Sequence, residues 1–292
     1  MKSVSKKLTI GGVPEHFNLP WHLAIENNKF SDKGIDLNWI DIHGGTGAMC
    51  KALREKSIDI AIILTEGIVK DIINGNDAKL VKFYVKSPLL WGIHVGFDSK
   101  YTSVKELEKA KIAISRYGSG SHLMAIVNAF EQGFDIKNLD FEIIKNLNGG
   151  IEALKNKTAD YFLWEHFTTK PYVYNKTVRR IGNIESPWPC FVIAVRNEVL
   201  ENDKNAIKKM IKVINKQLKT FENPLENKKL VTLFSKRYQL KIEDIEAWLK
   251  ITKWSRKKNI SVKKINKIQQ KLKQFGVIEN VVDADKLIRN LF

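Results

Sequence analysis

The stretch Lys111-Ile112-Ala113-Ile114-Ser115-Arg116-Tyr117-Gly118-Ser119-Gly120-Ser121-His122 is a short apolar run, then a loop of Gly and Ser, then the start of a segment with apolar residues at three- and four-residue spacing. That order predicts a buried strand over 111–115 and a helix over 120–132, with Ser as the helix cap and the loop at the strand's carboxyl end. Free amides at such a helix start attract anions and polar ligand edges. The same alternation runs through the first 200 residues. Strands are predicted at 8–12, 35–42, 58–64, 80–86, 141–145, 161–163, 178–181 and 191–195, with helices at 20–28, 47–55, 66–73, 104–107 and 150–155 and another starting at 165. This β-α-β-α order implies mostly parallel sheets with helices on their faces.

Two apolar runs, 81–85 and 89–97, are separated only by Lys86-Ser87-Pro88, and a Pro187-Trp188-Pro189 segment precedes the strand at 191–195. Both are read as crossovers between lobes. Lobe one is expected to comprise residues 1–88 and 190–292, and lobe two residues 89–189. Residues 205–292 read as amphipathic helices wrapped on lobe one, with Ile207, Ile211, Ile214 and Leu218 on one face. Two lobes joined by two strands suit hinge closure around a ligand. The expected fold class is α/β, two-lobed, with two crossover strands and a helical C-terminus packed on lobe one.

The chain has 292 residues, of which 43% are hydrophobic and 28% charged, a composition that excludes disordered and collagenous classes. Its net charge of +17 comes from 49 Lys and Arg against 32 Asp and Glu. From residue 201 onward there are 23 basic and 10 acidic residues, and only eight residues of the whole chain are Arg. Groove reading and phosphate clamping favour Arg, so the Lys excess is read as solvated helix faces and no nucleic-acid partner is expected. Cys50 and Cys190 are too few and too far apart for a metal site or a disulfide framework. No metal and no cofactor are expected. No run approaches the ~18 apolar residues of a membrane span. The basic stretch 1–8 has no apolar core or cleavage site, so the chain as given is expected to be cytoplasmic, or periplasmic or lipid-anchored if its start was trimmed.

In open α/β sheets ligands lie beyond the carboxyl ends of strands. The candidate ligand contacts are therefore taken from the strand-end loops and crossovers: His16, Phe17, Trp21, Gly45, Thr46, Trp91, Arg116, Tyr117, Ser119, Ser121, Trp164, Glu165 and Trp188. The aromatics offer stacking surfaces, the hydroxyls hydrogen bonds, and Glu165 a partner for an amine. Gly44-Gly45-Thr46-Gly47 lacks the Lys of a P-loop and the full dinucleotide fingerprint. No catalytic constellation stands out among the dispersed histidines, and no catalytic residue is assigned.

The order of Pro14, Lys29-Phe30, Lys33-Gly34-Ile35, Gly44-Gly45, Ala52-Leu53, Asp59-Ile60-Ala61, the 115–121 loop and Trp164-Glu165 resembles the type II periplasmic binding protein superfamily. Within it the chain looks like the branch of thiamine-pyrimidine, alkanesulfonate and nitrate binding proteins. The resemblance implies a two-lobed Venus-flytrap receptor, expected to be a monomer, that binds a small molecule in its interlobe cleft and delivers it to an ABC transporter permease. On this family pattern His16, Phe17, Gly45, Thr46, Ser119 and Ser121 line the cleft, with Trp164 and Glu165; His166 stands where many members have Pro. A pyrimidine or related heterocycle is the expected ligand. The alternatives are a sulfonate or other small anion held by Arg116 and the loop amides, or an enzyme of pyrimidine or menaquinone biosynthesis on the same fold, using His16 or His122.

Overall fold

Ile- and Val-rich segments alternating with amphipathic ones build two five-stranded sheets in the computed structural model, which describes residues 5–292. Residues 1–4, the beginning of the basic stretch at 1–8, lie outside the described residues.

Residues through Ser87, Trp188–Lys273 and Ile278–Phe292 form one compact unit; Pro88–Pro187 with Gln274–Val277 form the other. The first unit opens with β1 (Lys6–Gly12), α1 (Leu19–Glu26), β2 (Ile35–Asp41), α2 (Gly45–Arg54), β3 (Ile60–Leu64), α3 (Thr65–Ile73) and β4 (Ala78–Val85). The second contains β5 (Leu90–Gly96), β6 (Ile112–Ile114), α4 (Gly120–Gln132), β7 (Phe141–Ile143), α5 (Leu147–Lys155), β8 (Tyr161–Glu165), α6 (Lys170–Tyr174) and β9 (Val178–Glu185). The chain then supplies β10 (Phe191–Arg196) and the helices α7 (Asn197–Asn202), α8 (Lys204–Leu218), α9 (Lys228–Tyr238), α10 (Ile242–Ile251) and α11 (Val262–Gln274).

Strand order in the first sheet is β2-β1-β3-β10-β4, and in the second β7-β6-β8-β5-β9. β1 pairs in parallel with β2 and β3, while β10 is antiparallel to β3 and β4. The second sheet repeats the plan: β6 is parallel to β7 and β8, and β5 is antiparallel to β8 and β9. Each sheet thus holds one reversed strand in fourth place. That strand is the first one reached after the chain passes from one unit to the other. The apolar run at 89–97, read as a crossover, is mostly this internal strand β5, buried across its middle at Trp91–Val95.

A second correction concerns residue 165. A helix was expected to start there, but β8 runs through Glu165 and α6 starts at Lys170. The Glu165 carboxylate accepts hydrogen bonds from the Phe167 and Thr168 amides, which fixes a turn in place of a helix start.

In the first unit the C-terminal chain continues the sheet edge, with bridges from Leu80 to Ile288 and from Val85 to Trp254. Lys82 on β4 is fully buried, and its Nζ donates to the carbonyls of Ser255 and Lys257. Those bonds offset the cost of burying an amine. Burial, followed by the nearby Arg256 charge, lowers the Lys82 pKa to about 7. Cys50 and Cys190 are both buried. Among the described residues no helix is long and apolar enough to cross a membrane, and no group of three or more His, Cys, Asp or Glu is placed to hold a metal ion.

Candidate functional site

The parallel strands of each sheet end on one edge, where the start of the reversed strand also lies: Phe191 of β10 pairs with Leu64, and Trp91 of β5 with Glu165. In the first unit that edge collects the loops after β1, β2 and β3 and the segment leading into β10. In the second it collects the loops after β6, β7 and β8 and the start of β5.

On the first edge, Gly45 takes φ +63° to open α2, and Thr46 is buried beside α3. A Cβ on Gly67 would stand 2.2 Å from Thr46 Cγ2, so the two helix starts approach as closely as they do only because residue 67 has no side chain. Thr65 caps the approach of the returning chain, donating from Oγ1 to the Pro189 carbonyl at 2.6 Å and from its amide to Cys190 O at 2.9 Å. The next residue, Glu66, is 1% exposed. Its Oε2 accepts from Trp188 Nε1 at 2.7 Å, and its Oε1 is buried with no hydrogen-bond partner. Burial raises the Glu66 pKa to about 7, against the lowering effect of its hydrogen bonds.

On the second edge, Gly118 takes φ +76° and Ser119 caps α4, its Oγ accepting from the His122 amide. The hydroxyls of Ser115, Ser119 and Ser121 form a chain, Ser121 Oγ lying 2.9 Å from Ser115 Oγ and 3.1 Å from Ser119 Oγ. The Gly118 amide donates to His122 Nδ1 at 3.1 Å. Tyr117 is 62% exposed and meets His122 and Phe141 edge-on; Arg116 is half-buried in the same loop. At the end of β8 Glu165 is buried, with Oε2 accepting from the Phe167 and Thr168 amides and from Thr168 Oγ1. Burial again dominates and raises its pKa to about 7.

Glu66 and Glu165 occupy matching places in the two sheets. Each follows or ends the third strand in order, β3 or β8, beside the reversed strand. Glu165 was expected from sequence; Glu66 was not. An acidic residue at a helix start is an ordinary partner for the helix dipole, so nothing local in the sequence marks its burial. The remaining signal was its position directly after an Ile-rich strand.

Three expected contacts are placed elsewhere. His16 and Phe17 belong to an aromatic core: the His16 ring lies 4.2 Å from Trp248 and 4.8 Å from Phe17, and Phe17 lies 5.0 Å from Phe191. Burial lowers the His16 pKa to about 3. Trp21 is fully buried and stacks on Phe30 at 5.8 Å with a 9° interplanar angle. For His16 and Phe17 the cause is the C-terminal chain, whose α9 and α10 bring Tyr238 and Trp248 against the loop; Trp21 is enclosed instead by Phe30, Trp39 and Tyr84. Trp188 is also buried, but through its bond to Glu66 it belongs to the first edge. Trp91 is buried on β5 with Nε1 unpartnered, and Trp164 is half-buried against the cluster of Phe162, Leu154 and Val178.

The chain has the fold of the type II periplasmic binding protein superfamily. Over residues 91–184 it matches the family model described as Ca3427-like PBP. It superposes on the Candida albicans CA3427 gene product, described as defining a new family with the generic periplasmic binding protein fold, with a TM-score of 0.89 and 27% identity over 97% of this chain and 96% of that one. The alkanesulfonate-binding protein SsuA from Xanthomonas axonopodis pv. citri, bound to MOPS, gives 0.80 and 14% identity over 97% and 98% of the two chains. The nitrate-binding protein NrtA from Synechocystis PCC 6803 gives 0.74 and 14% over 98% and 86%. Comparison with curated proteins by sequence gives no match.

Proposed function

We propose that this chain is a small-molecule binding protein whose ligand is a nitrogen heterocycle carrying an amino group, an aminopyrimidine being the leading class. The observation that carries this reading is the buried Glu66 oxygen without a hydrogen-bond partner, supported by the matching buried Glu165. A buried acceptor of this kind is satisfied by an amine or ring N–H donor. An anion at the same place is disfavoured by the ionised form of the carboxyl, the form that prevails above pH 7. Trp91 Nε1, also buried and unpartnered, suits a ring nitrogen, and the Ser119 and Ser121 hydroxyls suit the polar periphery of such a ligand. Exposed Tyr117 is the aromatic best disposed to cover a flat ring.

A sulfonate or other small anion is the second reading, favoured by the α4 start with Ser119 and by Arg116 in its loop. SsuA and NrtA are described as binding proteins for such anions. Binding is preferred over catalysis because His16 sits in the core and His122 serves the Gly118 amide. An ABC transporter permease is the partner this reading assigns, as for the Staphylococcus aureus protein described as the ligand-binding component of an ABC-type import system.

A thermal-shift panel of aminopyrimidines, unsubstituted pyrimidine, alkanesulfonates and nitrate tests the choice. A ligand at a hundred times its dissociation constant adds ~2.7 kcal/mol, several degrees in midpoint for a chain of this size. The aminopyrimidines are expected to give that shift and unsubstituted pyrimidine a smaller one. A shift with sulfonates alone, lost in Arg116→Ala, would replace the first reading with the second.

A further inference from the structure

Arg180 on β9 carries no motif in the sequence, yet its guanidinium gathers one side of the second edge. Its Nε lies 3.2 Å from His94 Nε2, its Nη1 2.8 Å from His166 Nε2, and its Nη2 2.6 Å from the His166 carbonyl and 3.2 Å from Thr169 Oγ1. Arginine only donates, so both Nε2 atoms act as acceptors here. His166 therefore carries its proton on Nδ1, which donates to Asn183 Oδ1 at 2.7 Å. Thr169 Oγ1 closes the network at 2.9 Å from His94 Nε2 and 3.1 Å from the Glu165 carbonyl. Gly92 makes room for it, because a Cβ there would stand 2.5 Å from His94 Cε1 and 2.8 Å from Arg180 Nε.

Residues 165–169, gripped at His166 and Thr169, form the turn whose Phe167 and Thr168 amides hold the Glu165 carboxylate. We propose that Arg180 is a positioning residue: by locking this turn it aims the Glu165 carboxyl, and so sets affinity for amine-bearing ligands without touching them. The inference rests on the aminopyrimidine reading for its ligand consequence only. The charge acting on Glu165 is that of Arg180 from β9, and the titratable groups that meet this guanidinium are His94 from β5 and His166 in the turn itself. The Arg180 charge works with the hydrogen bonds to lower the Glu165 pKa against burial. Lysine keeps the charge but cannot reproduce a planar fork with several directed donors.

The test compares wild type with Arg180→Gln, Arg180→Lys and His166→Ala. Hydrogen exchange at the Phe167 and Thr168 amides and an NMR titration of the Glu165 carboxyl need no ligand; calorimetry then measures affinity for 4-aminopyrimidine and for pyrimidine. Arg180→Gln is expected to speed exchange at both amides, move the Glu165 midpoint upward and weaken 4-aminopyrimidine about tenfold, with pyrimidine less affected. Arg180→Lys is expected to lose amide protection as well and, because it keeps the charge, to move the midpoint upward by less than Arg180→Gln does. Should Arg180→Gln fail to fold, His166→Ala removes one of the four contacts, the ring Nε2, while keeping the backbone carbonyl, and is expected to give the same changes in smaller measure. Unchanged exchange and an unchanged midpoint in the folded variants would overturn the proposal. If wild type binds neither probe, the ligand reading falls, while exchange and titration still decide the role of Arg180.

Discussion

Phe17→Ala is expected to cost about 3–5 kcal/mol of folding stability and to leave ligand affinity of the folded protein within about twofold of wild type. The Phe17 ring is 2% exposed and packs on His16, Phe191 and Trp248 at 4.8, 5.0 and 5.1 Å. Its carbonyl accepts from Tyr84 Oη at 2.8 Å and Trp254 Nε1 at 3.2 Å, which ties the loop after β1 to β4 and to the C-terminal chain. Truncation removes the ring from a cluster with no solvent to fill its place, so transfer and cavity costs add. Urea unfolding measures the first effect, and calorimetry on the folded variant the second. A large loss of affinity with little loss of stability would return Phe17 to the ligand contacts, where the sequence had suggested it belonged.

Glu66→Gln is expected to stabilise the protein at pH 8 by roughly 2–3 kcal/mol, each pKa unit being ~1.4 kcal/mol, and to change it little near pH 4. The Glu66 carboxyl titrates at about 7 in the folded chain against an ordinary value of 4.5. The folded state therefore holds this proton more tightly than the unfolded state. The stability so gained is complete below pH 4.5 and is lost as pH rises through 7. Glutamine mimics the neutral acid at every pH and keeps an acceptor for Trp188, so the pH-dependent loss disappears in the variant. Urea midpoints at pH 4, 6 and 8 check the sign; a wild type that gains stability over this range relative to the variant would contradict it. The same substitution replaces an acceptor by a donor on one side of the group, and affinity for an aminopyrimidine is expected to fall at least tenfold.

The loop at 115–121 was legible in sequence because the change from an apolar run to helical spacing is local, and Ser119 caps α4 as that change requires. The order of strands and helices was legible for the same reason. The aromatic residues after β1 were not. An aromatic at a strand end has the same local sequence whether it faces a ligand or the core, and here the decision is made by Trp248 and Trp254, more than 200 residues away. Arg180 was equally silent, since its four contacts come from β5 and the turn after β8 and leave no periodicity on β9 itself. Glu66 was masked by a simpler explanation, its place in the first turn of α3.

Isothermal titration of 4-amino-5-hydroxymethyl-2-methylpyrimidine into wild type, Glu66→Ala and Glu165→Ala tests the central claim most directly. Saturable binding to wild type and losses of about tenfold or more in each variant are expected. Binding of equal strength in all three proteins, or saturable binding of an alkanesulfonate in place of the pyrimidine, would contradict that claim.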